Sequence, residues 1–284
     1  MDGWQGNETL TVRLGERDYA VDRDWAGLAA AGTAGSMSDL AAVGGDLWVL
    51  QRAEPPILVF DRAGRPQAQH GAGEVFDGHG LTADGRGGAY VVDRDAHEIL
   101  HMAGDGVIVR RFGQRHRPDW TGPFNHPTAV APAADGSLWV ADGYGNARVH
   151  HLAPDGTLRL SFGGLGTEPG SFVCPHALCL SPDGRVLVVD RDMHRVQVFD
   201  PDGGLLDVWT GFFRPMAIAM GPDGWVYVTD QVPSLQRIAP DGSSRSRARP
   251  ARNQSHGLAI ADDGTIWLTD TDPRCLVRMR PLGD

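Results

Sequence analysis

Lysine is absent from the 284 residues, so every basic side chain other than histidine is an arginine. Schiff-base chemistry, which needs a lysine amine, is thereby excluded. Cysteine is scarce: Cys174, Cys179 and Cys275 are the only three, an odd count without the paired spacing of a thiolate metal site. A disulfide-free protein of a reducing, cytoplasmic compartment is the expectation. No apolar run approaches the roughly 18 residues that span a membrane. The opening residues, Met1-Asp-Gly-Trp-Gln-Gly-Asn-Glu, lack the basic and apolar regions of a secretory signal. Positive charge is in deficit, with a net charge of −10. An acidic chain repels phosphate backbones, so neither nucleic acid nor a membrane is an expected partner. No long stretch carries the helical period of about 3.6 residues.

What the chain has instead is glycine, proline and repetition. Its 38 glycines and 19 prolines suit a β-protein dense in turns. Apolar runs of the form Leu/Val-x-Val recur as Leu47-Trp-Val-Leu, Ala89-Tyr-Val-Val-Asp93, Leu138-Trp-Val-Ala-Asp142, Val186-Leu-Val-Val-Asp190, Val226-Tyr-Val-Thr-Asp230 and Ile266-Trp-Leu-Thr-Asp270. Each is preceded by another apolar run, with Asp-Gly or Gly-Asp between them in most repeats. A third run follows, as in Ile57-Leu-Val-Phe and Arg195-Val-Gln-Val-Phe. Asp-Gly between apolar runs is a strong hairpin signal. A repeat of about 40 to 50 residues with several strands per unit predicts a β-propeller. The expected fold is all-β, a single six-bladed propeller over residues 1–284. The alternating stretch at residues 9–14 is expected to add an outer strand to the last blade and close the ring. The aspartates that end the second strands, 93, 142, 190, 230 and 270, recur too regularly for chemistry and are read as turn residues.

The residue that opens each first strand is Ser38, His79, Thr128, His176, Met216 and His256 in turn. Histidine takes every second place. In a closed ring of six, alternate blades stand about 120° apart, so three imidazoles converge on the axis. Three neutral histidines with an open position describe a catalytic zinc site, and another divalent transition metal fits the same donors. The second strand runs antiparallel to the first, so its end lies at the same rim. Arg52, Arg94, Tyr144 and Arg191 are therefore expected to surround the histidines. His126 and Met216 complete the expected lining toward substrate. His97 and His194 share a loop phase and are expected to be exposed.

The segment Gly122-Pro-Phe-Asn-His-Pro-Thr128, followed by Leu138-Trp-Val-Ala-Asp-Gly-Tyr-Gly-Asn-Ala-Arg-Val149, resembles the peptidyl-α-hydroxyglycine α-amidating lyase family, built of NHL-type repeats. Phe172-Val-Cys-Pro-His-Ala-Leu178 and Val189-Asp-Arg-Asp-Met-His-Arg-Val-Gln-Val-Phe199 extend the likeness. The resemblance implies a six-bladed propeller with zinc on His79, His176 and His256. It implies cleavage of an N-acyl-α-hydroxyglycine, a small-molecule or peptide carbinolamide, to a primary amide and glyoxylate. It makes Tyr144, Arg52 and Arg191 the catalytic residues; Arg94 has no clear counterpart in the family and is expected to bind substrate from its place at the same rim. A separate hydroxylating enzyme is the partner it implies. Two features depart from the family. Its paired cysteines are missing, with Asn125 and Gly145, and Leu187 and Val198, in their places. Gly257 stands after His256 where the family's structural calcium takes a carboxylate, which leaves that ion without its ligand unless Asp39 supplies one.

A zinc ion acts as a Lewis acid toward substrate oxygens. A tyrosine titrates near 10, so Tyr144 needs a neighbouring cation such as Arg52 to act as a base at neutral pH. Three other readings stay open on the sequence. The same zinc site serves a hydrolase, hydratase or other lyase acting on a different small molecule. A non-catalytic NHL propeller binds protein or RNA and has no use for alternating histidines. A calcium lactonase-like propeller requires axial carboxylates and asparagines, which the Ser, His, Thr and Met at the axial phase do not provide.

Overall fold

The second strand of each repeat is apolar at nearly every position because both faces of its sheet are covered. The computed structural model describes residues 10–25, 35–271 and 274–283, and all its sheets are antiparallel. Five four-stranded sheets and one of five strands form six blades. Blades 1 to 5 occupy residues 37–70, 78–113, 129–163, 175–209 and 215–248, each with its strands in chain order. Blade 6 is built from Ser255–Ile260, Ile266–Asp270 and Cys275–Leu282. Its outer strands come from the other end of the chain: Arg17–Asp22 pairs with Cys275–Leu282, and Leu10–Leu14 pairs with Arg17–Asp22. Of the stretch expected to add a strand here, Thr9 lies outside the described residues and the rest forms the fifth, outermost strand. The fourth place goes to Arg17–Asp22, one hairpin later.

Six hydrophobic clusters follow, one between each pair of neighbouring blades. The one between the last and first blades holds Met37, Leu40, Val49 and Phe60 against Ala259, Trp267 and Leu276, with Trp25 beside them. A fully buried Val or Leu contributes about 1.5–3 kcal/mol. The blade interfaces therefore hold the ring together. The inner strands touch in ring order, with Ser255–Ile260 against Met37–Val43. The six-bladed β-propeller expected from the repeat is borne out. The one helical turn among the described residues is Arg191–Met193, in a rim loop. No helix there is long and apolar enough to cross a membrane.

Candidate metal centre

Each histidine-bearing strand is interrupted where it needs to be. The pairing of first and second strands shifts between Gly78 and Gly80, between Pro175 and Ala177, and between Ser255 and Leu258. A bulge takes one residue out of the ladder and re-aims its side chain. His79 and His176 are those residues in their blades, and in the sixth blade His256 leaves the ladder together with Gly257. The segments leading into them are tied down by the aspartate that ends the second strand of the same blade. Asp93 accepts the N–H groups of Phe76 and Asp77 at 2.6 and 2.8 Å. Asp190 accepts those of Val173 and Cys174 at 3.1 and 3.0 Å. Asp270 accepts those of Arg252 and Asn253 at 2.8 and 3.0 Å. The repeated aspartate is thus the device that fixes where each imidazole starts.

The interleaved residues supply the second support. The carbonyls of Thr128, Met216 and Ser38 accept from Nδ1 of His79, His176 and His256 at 2.8, 2.8 and 2.6 Å. A carbonyl can only accept, so Nδ1 carries the proton and Nε2 is left with its lone pair. Two interleaved hydroxyls pass the pattern on, Ser38 Oγ donating to the Gly78 carbonyl at 2.9 Å and Thr128 Oγ1 to that of Pro175 at 2.8 Å. Met216 has no hydroxyl and leaves one link unmade. Its contribution to the site is the carbonyl on His176, and its sulfur accepts from Gln231 Nε2 at 3.4 Å.

The three rings converge, with centroids 4.9, 5.2 and 5.0 Å apart. One ligand nitrogen from each lies within 4.8 Å of the others. Nε2 of His176 is buried and has no hydrogen-bond partner. Burial, followed by the charge of neighbouring histidines, holds His79 and His176 well below the ordinary imidazole range. Burial, with the charges of Arg52, Arg191 and Arg94, lowers His256 to about 4. Three neutral imidazoles facing one another, one of them with an orphaned lone pair, fit a metal ion.

Tyr144 stands beside them. Its hydroxyl donates to His79 Nε2 at 3.1 Å and accepts from Arg191 Nη1 at 3.0 Å. The flanking glycines are demanded by close approach. A Cβ on Gly143 would meet the Pro175 carbonyl at 2.1 Å, and one on Gly145 would meet Asn125 at 2.3 Å. Burial raises the Tyr144 hydroxyl above its usual range against the pull of the Arg191 and Arg94 charges. The cations on Tyr144 are therefore Arg191, whose guanidinium carbon is 5.3 Å from the ring centroid, and Arg94 at 5.5 Å. Arg52, expected in that role, is drawn instead to Asp77, with Nε 3.4 Å from the carboxylate.

Two carboxylates that sequence reasoning passed over hold these arginines. Asp77 pairs with both Arg52 and Arg94. Asp192 takes Arg191 Nη2 at 3.0 Å and Arg214 Nη2 at 2.9 Å. Asp95 adds a 2.7 Å bond to Arg94 Nε. For Asp95 and Asp192 the signal was present, since Asp93-Arg-Asp95 and Asp190-Arg-Asp192 are the same tripeptide two blades apart; Asp77 lies outside it. His126 faces sideways, with Nδ1 2.7 Å from Asn125 Oδ1 and its ring 4.3 Å from that of His97. His97 is buried, contrary to expectation, because its Nδ1 accepts the N–H of His126 at 3.1 Å. His194, exposed as expected, accepts the N–H of Arg214 in the same way at 2.9 Å. Each fastens one rim loop to the next blade. Asp39 lies on the axis, its oxygens accepting the N–H groups of Leu40 and Leu81 at 2.9 and 2.8 Å. Burial pushes it up to about 7. A Cβ on Gly257 would meet Asp39 Oδ1 at 2.6 Å, so this carboxylate fills the space beside the bare glycine.

The NHL repeat family matches residues 172–199. The probable peptidyl-alpha-hydroxyglycine alpha-amidating lyase of Caenorhabditis elegans is 30% identical over 267 residues, covering 87% of this chain and 75% of that one. Peptidyl-glycine alpha-amidating monooxygenase A of Xenopus laevis is 29% identical over 253 residues, 80% of this chain but 27% of the longer relative. Among solved structures, a gluconolactonase of Xanthomonas campestris superposes with a TM-score of 0.72 at 17% identity, covering 95% of this chain and 91% of that one. At that identity the likeness is one of fold.

Proposed function

The chain belongs to the peptidyl-α-hydroxyglycine α-amidating lyase family, and from that premise we propose that it splits the C–N bond of an N-acyl-α-hydroxyglycine into a primary amide and glyoxylate. The observation that carries the reading is the Tyr144 hydroxyl, bound by Arg191 Nη1 and 3.1 Å from His79 Nε2 beside three converging imidazoles; an ion on that nitrogen would free the hydroxyl proton for chemistry. His79, His176 and His256 would hold the ion, with zinc the first candidate for three neutral nitrogen donors. When bound it supplies Lewis acidity toward substrate oxygens.

The residues of the chain do the rest. Collapse of a carbinolamide removes the hydroxyl proton, turns the C–O bond into the aldehyde of glyoxylate, and sends the C–N electron pair to nitrogen, which takes a proton. A neutral phenol serves both transfers at one atom. Tyr144 Oη accepts the hydroxyl proton as its own passes to the departing nitrogen, and the tyrosine is regenerated. Burial favours the neutral phenol, the form this relay starts from, while the Arg191 and Arg94 charges favour giving up its proton. Arg191 Nη1 steadies the oxygen when the two transfers fall out of step. Arg94, with Nε and Nη2 engaged by Asp95 and Asp77, presents its remaining nitrogen to the substrate carboxylate. Arg52, engaged through Nε alone, offers its fork to the acyl oxygen, where charge gathers as the amide leaves. The substrate itself would come from an enzyme that hydroxylates the Cα of an acylated glycine.

The test is direct. Protein loaded with zinc, given N-benzoyl-α-hydroxyglycine, is expected to release benzamide and glyoxylate in equal amounts. Chelation stops the release and zinc restores it. Metal-loaded protein that forms no glyoxylate from any acyl member would end the reading.

Acid should remove the metal late. A free histidine protonates near 6.5, and only the neutral ring binds metal. All three rings are depressed, His256 to about 4. Protons therefore compete only as the pH falls toward that value. After dialysis at pH 5.5 the protein should keep its zinc, with release near pH 4 read by metal analysis. Release at pH 6 to 6.5 would contradict the burial argument.

A further inference from the structure

The acyl part of such a substrate has to leave the three-histidine site across the rim. Between blades 1 and 2 the rim holds a pocket of about 180 Å³. Arg52 and Gly78, the residue before His79, lie in its wall, so the pocket borders the site. Ala53, Pro56, Val75 and Phe76 make its apolar surface. The polar side chains there are already engaged. Gln51 accepts the Gly35 N–H at 2.7 Å and donates to the Pro55 carbonyl at 2.7 Å. Glu54 accepts the Gly73 N–H at 3.4 Å. Apart from the Arg52 guanidinium and the exposed Glu54 carboxylate at the edge, the side chains left to meet a ligand are apolar. The volume is close to the ~150 Å³ cavity that admits a benzene ring. Phe76 is 66% exposed, meets only the edge of the His116 ring among aromatic neighbours, and stands outside the six blade-interface clusters.

We propose that this pocket is the acyl subsite, a step that rests on the lyase reading. It takes one apolar group of about the size of an isobutyl or phenyl group, attached to the carbonyl that Arg52 grips. Larger chains pass over Phe76 into solvent. The pocket discriminates by burial, so each added methylene within its volume should improve binding until it is full.

Calorimetry on zinc-loaded protein tests this without turnover, using N-acetylglycine, N-isovalerylglycine and N-benzoylglycine, which lack the reactive hydroxyl. The two larger acylglycines are expected to bind about 10-fold more tightly than the acetyl compound. Phe76→Ala should erase most of that advantage and leave acetylglycine binding within about 2-fold. Ala53→Leu, which fills the pocket from within, should do the same. The exposed position of Phe76 keeps the first variant folded if the second is not. Equal binding of all three acylglycines by the wild type would overturn the pocket, as would an equal loss for acetylglycine and benzoylglycine in Phe76→Ala. N-acetyl-leucylglycine distinguishes the source of the group: sharing the advantage supports a peptide side chain, and its failure to share it supports a small acyl conjugate. If the preference survives but no hydroxylated counterpart yields glyoxylate, the pocket stands and the lyase reading falls.

Discussion

His176→Ala is expected to abolish metal retention and with it activity, while the propeller stays folded. Weakening a partner of a metal ligand costs about 10–100-fold in affinity. Removing a ligand from a three-histidine set costs more than that, because two imidazoles cannot hold the ion against water and chelators. His176 is the ring whose Nε2 has no partner other than the ion it is proposed to hold. The fold has separate support in the strand pairing of every blade and in the six apolar clusters between blades. In the metal-free state the substitution loses the bond to the Met216 carbonyl but also removes an unsatisfied buried nitrogen. These effects oppose each other at about 1–3 kcal/mol apiece, so the metal-free variant should melt within a few degrees of metal-free wild type. Metal analysis and thermal unfolding together check the claim. A His176→Ala protein with stoichiometric zinc and full glyoxylate release would remove these three residues from the chemistry.

That the three histidines meet was legible because a propeller turns sequence phase into position. Residues at the same place in each repeat stand at the same height around one axis, so Ser38, His79, Thr128, His176, Met216 and His256 had to alternate around it. The aspartates at 93, 190 and 270 were legible for the same reason, and their amide partners explain why they recur. Phase says nothing about how far a long side chain reaches across the gap between blades. Arg52, Arg94 and Arg191 occupy similar rim positions, yet Asp77 draws Arg52 away from Tyr144 while Asp192 holds Arg191 against it. Such pairing depends on rotamers and on the angle between neighbouring blades.

Backbone partners were equally hidden. Nothing in the identity of Thr128, Met216 or Ser38 announces that its carbonyl will fix a histidine tautomer. The burial of His97 escaped notice because its cause is an N–H group donated by the next blade. The need for glycine on both sides of Tyr144 was hidden too, because it is clearance from Pro175 and Asn125, groups brought close only by the fold.

Tyr144→Phe is expected to lower kcat by about 10²- to 10⁴-fold with little change in KM or zinc content. The substitution isolates one atom. The phenyl ring retains its edge contacts with His79 and His176, whose centroids are 5.3 and 5.9 Å away, and its place under Arg94 and Arg191. What disappears is the oxygen that takes the hydroxyl proton and returns one to nitrogen. A group acting in proton transfer contributes mainly in the transition state, so the loss falls on kcat. A packing role predicts the opposite pattern, in which a ring-preserving change is nearly silent and Tyr144→Ala is the damaging one. Arg191→Ala separates the two further. Under the relay it slows the same step without releasing metal, because its Nη1 contact is to Tyr144 and not to an imidazole. Steady-state formation of glyoxylate, with zinc measured on each variant, decides the matter. Wild-type kcat in Tyr144→Phe would leave the tyrosine as packing and require another group on this rim to carry both protons.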